Sequence, residues 1–423
     1  MVLSVLASRL RFWNRSGSST DPSNASDLTW QSYDNSVSSF LDQLTMPQVG
    51  VSPTADSLSA GISHSSTSTP TDLLVSSIPD VGTFSSYQSI SSPSGGSNTL
   101  FGSTSKTTTP APTLVHSTTG GNLTFNLIWD SSVGSAGSSE AGFMTAVEDA
   151  ALFYANNFTA PNKAVINLQV GYGEVAGSTL PFGALSASSS EGDYVSYATL
   201  KTALQAVNDS SLNSLVSGFT AGLPGSDPTG QATTSKDFFV SYAEEKALGL
   251  PIGTSGYQTA IDGWIGIAKN SFFTPMDYTD DASLNKTGSM PTKGYDAVGA
   301  AAHEISEVMS RISGLGTSLQ AGTGATWTAL DLARYSSSGT RDLTTKTGYF
   351  SLNNGATNLG TYNSSTGDAG DWASSAYDSF GFSHAGYYSP VSSTDILETS
   401  ILGFQLTPTA QNYLTAHPPS KVV

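Results

Sequence analysis

The texture of the chain breaks near residue 120, and that break decides how much of its 423 residues can form a core. Up to about residue 118, Ser, Thr, Gly and Pro dominate stretches such as GISHSSTSTPT and SSPSGGSNTLFGSTSKTTTPAPT, which show no sustained hydrophobic period. Such a segment buries too little apolar surface to offset the entropy of ordering it. Residues 1–118 therefore read as a flexible leader or linker. Within them only Ser36 to Met46 has the make-up of a short docking helix, as a pro-segment would. From Asn122 the pattern changes: Leu123, Phe125, Leu127 and Trp129 alternate with polar or opposite-face residues, the period of a half-buried strand. The globular domain is expected at 119–423.

In that domain Phe143 to Phe158 has apolar residues at helical spacing and Ala164 to Val170 suits a strand, so the opening is strand, helix, strand. Further helices are expected at Tyr197 to Val207 and at Asp237 to Leu248, the second capped by Ser235 or Asp237 and closed by Gly249. A strand is expected at Trp264 to Ala268. A last helix is expected at Thr394 to Leu402, after the Pro390 to Ser393 turn. No internal repeat is visible.

Acidic residues outnumber basic ones 33 to 16, giving a formal net charge of -17. That field repels phosphate backbones and anionic headgroups, so nucleic acid is not an expected partner. No stretch reaches the roughly 18 apolar residues of a membrane span. Cysteine is absent, so a metal would have to be held by His, Asp, Glu or backbone oxygen. Cysteine-free, acidic, Gly/Ser/Thr-rich composition is common in exported bacterial proteins, and a secreted, extracellular location is expected. MVLSVLASRLRFW does not read as a cleaved signal peptide, because its arginines follow its apolar run.

The segment that carries chemistry is YDAVGAAAHEISEVMSRISGLG, residues 295–316. On a helix Val298, Ala301, Ala302, Ile305, Val308, Met309 and Ile312 form a core stripe, with Gly314 or Gly316 as the stop. The opposite face holds Asp296, Gly299, Ala300, His303, Glu307, Ser310 and Gly314, small residues around two strong ligands, which suggests a cleft floor. His303 and Glu307, four apart, rise from one face and can meet on one ion. Glu304 points sideways. This is the geometry of H-E-x-x-H zinc peptidases, with Glu307 in place of the second histidine and Glu304 as the base. An exposed i,i+4 pair is the structural alternative.

On these residues the chain resembles bacterial secreted zincin-type metalloproteases with an H-E-I-x-E-V-x-G-R helix, an H-E-x-x-E variant of H-E-x-x-H. HEISEVMSR is the specific part; VGYGEV, WIGIA, ALDLARYS, RDL, GDWA and PVSSTDILETSILGF are softer. Ser310 stands where that group usually has glycine. The distant likeness to metzincins lacks their third histidine and Met-turn. The resemblance implies an α+β, zincin-like (metzincin-like) catalytic domain with a twisted mixed sheet, an active-site helix and a loop-rich C-terminal part.

A catalytic zinc takes three protein ligands and a water, so a third ligand is needed downstream. Asp331 comes first, since D-x-x-R-Y is similar to the aspartate segment of aspartate-liganded zincins, with Tyr335 or Arg334 as oxyanion stabiliser. An N-cap or Arg334-partner role for Asp331 carries equal weight. His384 and then Asp371 follow. Zn2+ is the expected ion, although oxygen-rich ligation also suits Mn2+ or Fe2+. The acidic loop Asp277, Asp280 and Asp281 is either a structural Ca2+ site or, more simply, solvated.

The expected function is an exported, monomeric endopeptidase that hydrolyses a protein or peptide substrate laid along Trp264 to Ala268 by strand addition. The rival is a non-catalytic extracellular adhesin or surface-layer-type protein with a degenerate zincin domain. Glycoside hydrolysis would need two acids across a cleft and ranks lowest.

Overall fold

A computed structural model describes residues 11–16 and 109–422, except 162, 208–213, 233–234, 254–259, 273, 279–282, 316–326, 345–346, 365–367 and 374. The Ser36 to Met46 helix and residues Asp280 and Asp281 lie outside the described residues. The chain divides into two units, residues 1–20 with 106–423, and residues 21–105; only the first contains described residues.

The scaffold is a mixed, seven-stranded sheet. Its strands are β1 (Arg11–Ser16), β2 (Thr113–His116), β3 (Thr124–Trp129), β4 (Val165–Tyr172), β5 (Ala184–Ser190), β6 (Gly263–Ile267) and β7 (Ser383–His384). Their spatial order is β7-β1-β5-β6-β4-β3-β2. Strands β3, β4 and β6 run parallel, while β5 is antiparallel to both its neighbours, β6 and β1. The sheet thus takes in Thr113–His116 and Arg11–Ser16, both ahead of the boundary expected at 119. On β3, Phe125, Leu127 and Trp129 are buried in alternation, as their period predicted. All of β5 is buried because it is flanked on both sides and faces a helix.

Seven helices occur among the described residues: α1 (Glu140–Asn157), α2 (Tyr197–Val207), α3 (Ser214–Ala221), α4 (Tyr242–Leu248), α5 (Ala297–Val308), α6 (Ser393–Ser400) and α7 (Pro408–Ala416). The fold is α+β. None of these helices is long and apolar enough to cross a membrane. The helix expected from Asp237 is shorter than the pattern suggested. Phe238–Ser241 is a strand paired with Gly192–Val195, and Ser241, not Ser235 or Asp237, caps α4 by accepting the Glu244 N–H at 3.2 Å. Gly249 closes it in the left-handed conformation at φ 69°.

Helix α5 lies against β5, β6 and α1. Its start is set by Asp296, whose Oδ1 accepts the N–H groups of Val298 and Gly299 at 3.1 and 3.0 Å. Gly263 on β6 lets it approach: a Cβ there would stand 2.5 Å from a Val308 methyl. The Tyr154 hydroxyl of α1 donates to the Ala302 carbonyl at 2.8 Å. The helix ends at Val308, ahead of Gly314 and Gly316, and Ser310 takes the turn at φ 79°.

Candidate metal centre

Every residue of α5 is buried, so the face of small residues is not an open cleft floor. Gly299 is small because a Cβ would come within 2.6 Å of the Ser389 Cβ, and that segment packs directly over it. His303, Glu304 and Glu307 are 1, 0 and 1% exposed. Each brings one donor atom within 4.8 Å of the others, the metal-capable group found among the described residues.

The imidazole is oriented by the backbone. His303 Nδ1 stands 2.7 Å from the Ser379 carbonyl, which can only accept, so that nitrogen carries the proton and Nε2 presents its lone pair. Three groups meet Nε2: Glu307 Oε1 at 3.4 Å, Asp371 Oδ1 at 3.5 Å and Arg311 Nη2 at 3.2 Å. Two donors each about 2.1 Å from a tetrahedral zinc stand about 3.4 Å apart, so the His303–Glu307 and His303–Asp371 separations fit ligands of one ion. Glu307 is held from the sheet, where the Ser188 hydroxyl of β5 donates to its Oε2.

Arg311 competes for the same place. Its guanidinium is fully buried and donates through Nη1 to Asp371 Oδ1 and the Gly370 carbonyl, both at 3.1 Å. Its Nε donates to Ser306 Oγ at 2.7 Å, and its plane covers Phe380 at 4.4 Å. Through Nη2 it also donates to His303 Nε2, the lone pair a metal would take. Burial alone would lower the Arg311 pKa, yet Asp371, Glu307 and Glu398 push it upward overall.

The electrostatic imbalance is clear. Glu304, Glu307 and Asp371 bring three carboxyls into a dry site against one guanidinium, and buried charge must be neutralised by protons or a cation. Burial, then the neighbouring Glu307, raises the Glu304 pKa well above the carboxylate range. Neither Glu304 oxygen has a hydrogen-bond partner among the described residues; Ser186 faces it from β5 without reaching hydrogen-bond geometry. Burial also raises Asp371, partly offset by His303 and Arg311. A divalent ion held by His303, Glu307 and Asp371 would offset this excess of buried carboxyls.

Of the three downstream candidates, Asp371 is the one placed against His303. It sits in the loop before Trp372, gripped by Arg311 and by Arg334, which donates to the Ala369 carbonyl. Asp331 instead ties the segment after α5 to the 3-10 turn Leu330–Ala333. It accepts Ser313 Oγ at 2.6 Å, Gly314 N at 2.8 Å and Thr328 N at 2.9 Å, with Arg334 Nε at 3.9 Å. His384 lies on β7, its Nε2 3.2 Å from the Ala376 carbonyl and its ring stacked on Tyr377. Tyr335 belongs to a separate four-stranded sheet, under the Arg341 guanidinium at 4.9 Å. Asp277 is buried and accepts Thr292 Oγ1 at 2.5 Å.

Trp264 to Ala268 cannot receive a substrate strand. Strand β6 is interior, hydrogen-bonded to β4 on one side and β5 on the other. Sequence reasoning also missed Arg311, quoted within HEISEVMSR but given no role, and Ser186 and Ser188, whose LSASSS run carries no pattern that separates it from the low-complexity leader. Comparison with protein-family models, with curated proteins and with solved structures finds no match for this chain.

Proposed function

We propose that the chain is a metal-dependent endopeptidase of zincin type, with His303, Glu307 and Asp371 as ligands and Glu304 as general base. The observation that carries this reading is the convergence of Glu307 Oε1 and Asp371 Oδ1 on the His303 Nε2 lone pair at 3.4 and 3.5 Å. Bound there, a divalent ion, zinc first, supplies Lewis acidity towards water and a peptide carbonyl. The chain's own residues do the rest. The Ser379 carbonyl fixes the histidine tautomer, Ser188 fixes Glu307 and Arg311 fixes Asp371. Glu304 Oε takes the proton of the attacking water and delivers it to the leaving amine. With two carboxylates among the residues that would hold it, the ion would supply weaker Lewis acidity than on three histidines, so proton transfer would lean harder on Glu304. The residue roles, not the surrounding fold, make the reading testable.

One observation favours a second reading. Arg311 already donates to His303 Nε2 and neutralises Asp371, as it would in a non-catalytic extracellular adhesin that has exchanged its metal for a guanidinium. Metal analysis after zinc loading separates the two. One equivalent of zinc in the parent and in Glu304→Gln, loss of zinc in His303→Ala, and casein cleavage abolished by Glu304→Gln support the peptidase. A parent that holds no zinc rejects it.

A further inference from the structure

The sheet has a position filled from far away in sequence. Strand β1 pairs antiparallel with β5 through Arg11↔Ser188, Phe12↔Ala187, Trp13↔Ser186 and Asn14↔Ala184, with an irregularity between Trp13 and Asn14. On its other side it pairs parallel with β7 through Arg15↔Ser383 and Ser16↔His384. Residues 17–112 separate it from β2. Both walls of this one-strand gap touch the metal centre. From β5, Ser188 donates to Glu307 and Ser186 faces Glu304; just ahead of β7, the Ser379 carbonyl holds His303. Strand β1 also lies against α5, and the metal-centre side chains are closed off from solvent.

We propose that the gap between β5 and β7 is a binding slot for an extended peptide, and that Arg11–Ser16 is its resident occupant, competing in cis with substrate. The competition rests on the endopeptidase reading; the slot does not. Main-chain pairing to an antiparallel edge strand holds an extended peptide with little regard for its sequence. A covalently tethered strand competes at an effective concentration in the millimolar range. The irregularity at Trp13/Asn14 interrupts the ladder, which suits a strand that must leave.

Proline tests the occupant, because it removes the ladder donor. Consecutive residues point their N–H groups to opposite sides of a strand, so in the full chain Phe12→Pro with Trp13→Pro removes one donor towards β5, and Arg15→Pro with Ser16→Pro removes one towards β7. Hydrogen exchange is followed in 184–190 and 383–384, with α5 as the folding control. Exchange at least tenfold faster in the walls, with α5 unchanged and protection restored by millimolar RFWNRS peptide, is the expected result. Unchanged wall exchange, or loosened walls that the peptide does not re-protect, overturns the proposal.

A second variant does not depend on proline being tolerated. The chain has no cysteine, so Asn14→Cys with Ala184→Cys, a cross-strand pair in the observed register, can be locked and released cleanly. The oxidised form should exclude a fluorescent RFWNRS peptide, and the reduced form should admit it with at least tenfold tighter binding. Equal binding by both forms overturns the slot. The zinc-loaded proline variants should cleave casein at least tenfold faster than the parent. Peptide binding without any cleavage leaves the slot standing and removes the endopeptidase reading alone.

Discussion

Arg311 Nη2 donates to His303 Nε2 at 3.2 Å and stands 3.6 Å from Glu307 Oε1, and its Nη1 simultaneously holds Asp371 at 3.1 Å, so one guanidinium contacts all three proposed ligands. Removing it from the metal-free protein leaves Glu307 and Asp371 without their buried counter-charge. Arg311→Ala should therefore cost about 3–5 kcal/mol in urea unfolding without zinc, the usual effect of breaking a buried pair. Zinc should raise the midpoint of the variant more than that of the parent, because the ion no longer displaces a resident cation. A loss below about 1 kcal/mol would show that the guanidinium does not neutralise the site.

Asp371 and Asp331 separate function from folding. Asp371→Asn keeps the shape of a loop fixed by Trp372 Nε1 on Asp395 at 2.8 Å and by Asn363 N on the Asp371 carbonyl at 2.7 Å, while removing ligand charge. Zinc affinity measured against a chromophoric chelator should fall by about 10–100-fold or more. Asp331→Ala strips the acceptor from Ser313, Gly314 and Thr328, all buried, and should cost about 2–3 kcal/mol with zinc affinity unchanged once folded. The reverse pattern would make Asp331 the ligand.

The helix that bears His303, Glu304 and Glu307 was legible because a helix turns sequence spacing directly into geometry. What lay between elements was not. Asp331 lies in a 3-10 turn and Asp371 in a loop, both between the regular elements, and contacts distant in sequence, those of Arg311 and Arg334 on Ala369, Gly370 and Asp371 among them, bring Asp371 to the histidine. Which strand stands beside a cleft is a tertiary fact: β6 has the apolar run of a central strand and is one, whereas all-buried β5 reads as ALSASSS. The FFVS segment before α4 was read as helix because a short apolar run has no period of its own; pairing with Gly192–Val195 decides it. Arg11–Ser16 had no signal at all, since its partners lie more than a hundred residues downstream.

Ser310 sits at φ 79°, where a side chain is strained and glycine is not. Its Oγ accepts a long hydrogen bond, 3.4 Å, from Ser241 N and faces the buried Glu244 carboxyl. Ser310→Gly should therefore stabilise the protein by about 0.5–1 kcal/mol in urea unfolding, the relief of strain outweighing a weak bond and the added freedom of the unfolded chain. Ser310→Ala, which keeps the strain and loses the bond, should destabilise it. A destabilised glycine variant would mean that the hydroxyl contributes more than the backbone strain takes away.

Behind the candidate metal centre, Glu398 is fully buried on α6 and accepts the Tyr362 hydroxyl at 2.8 Å. Burial pushes its pKa up to about 8, with Arg311 opposing. In the unfolded chain it titrates near 4.3, so between these two values the folded protein holds a proton that the unfolded chain has released. Stability from this group is therefore complete below about pH 4.3 and is lost progressively as pH rises through about 8. Glu304, Asp378 and Asp395 are raised by burial as well and act in the same direction. Glu398→Gln retains an acceptor for Tyr362 and cannot ionise, so its melting temperature should fall less than the parent's between pH 5 and about 8.5. Parallel pH profiles for the two proteins would place the Glu398 titration outside this range.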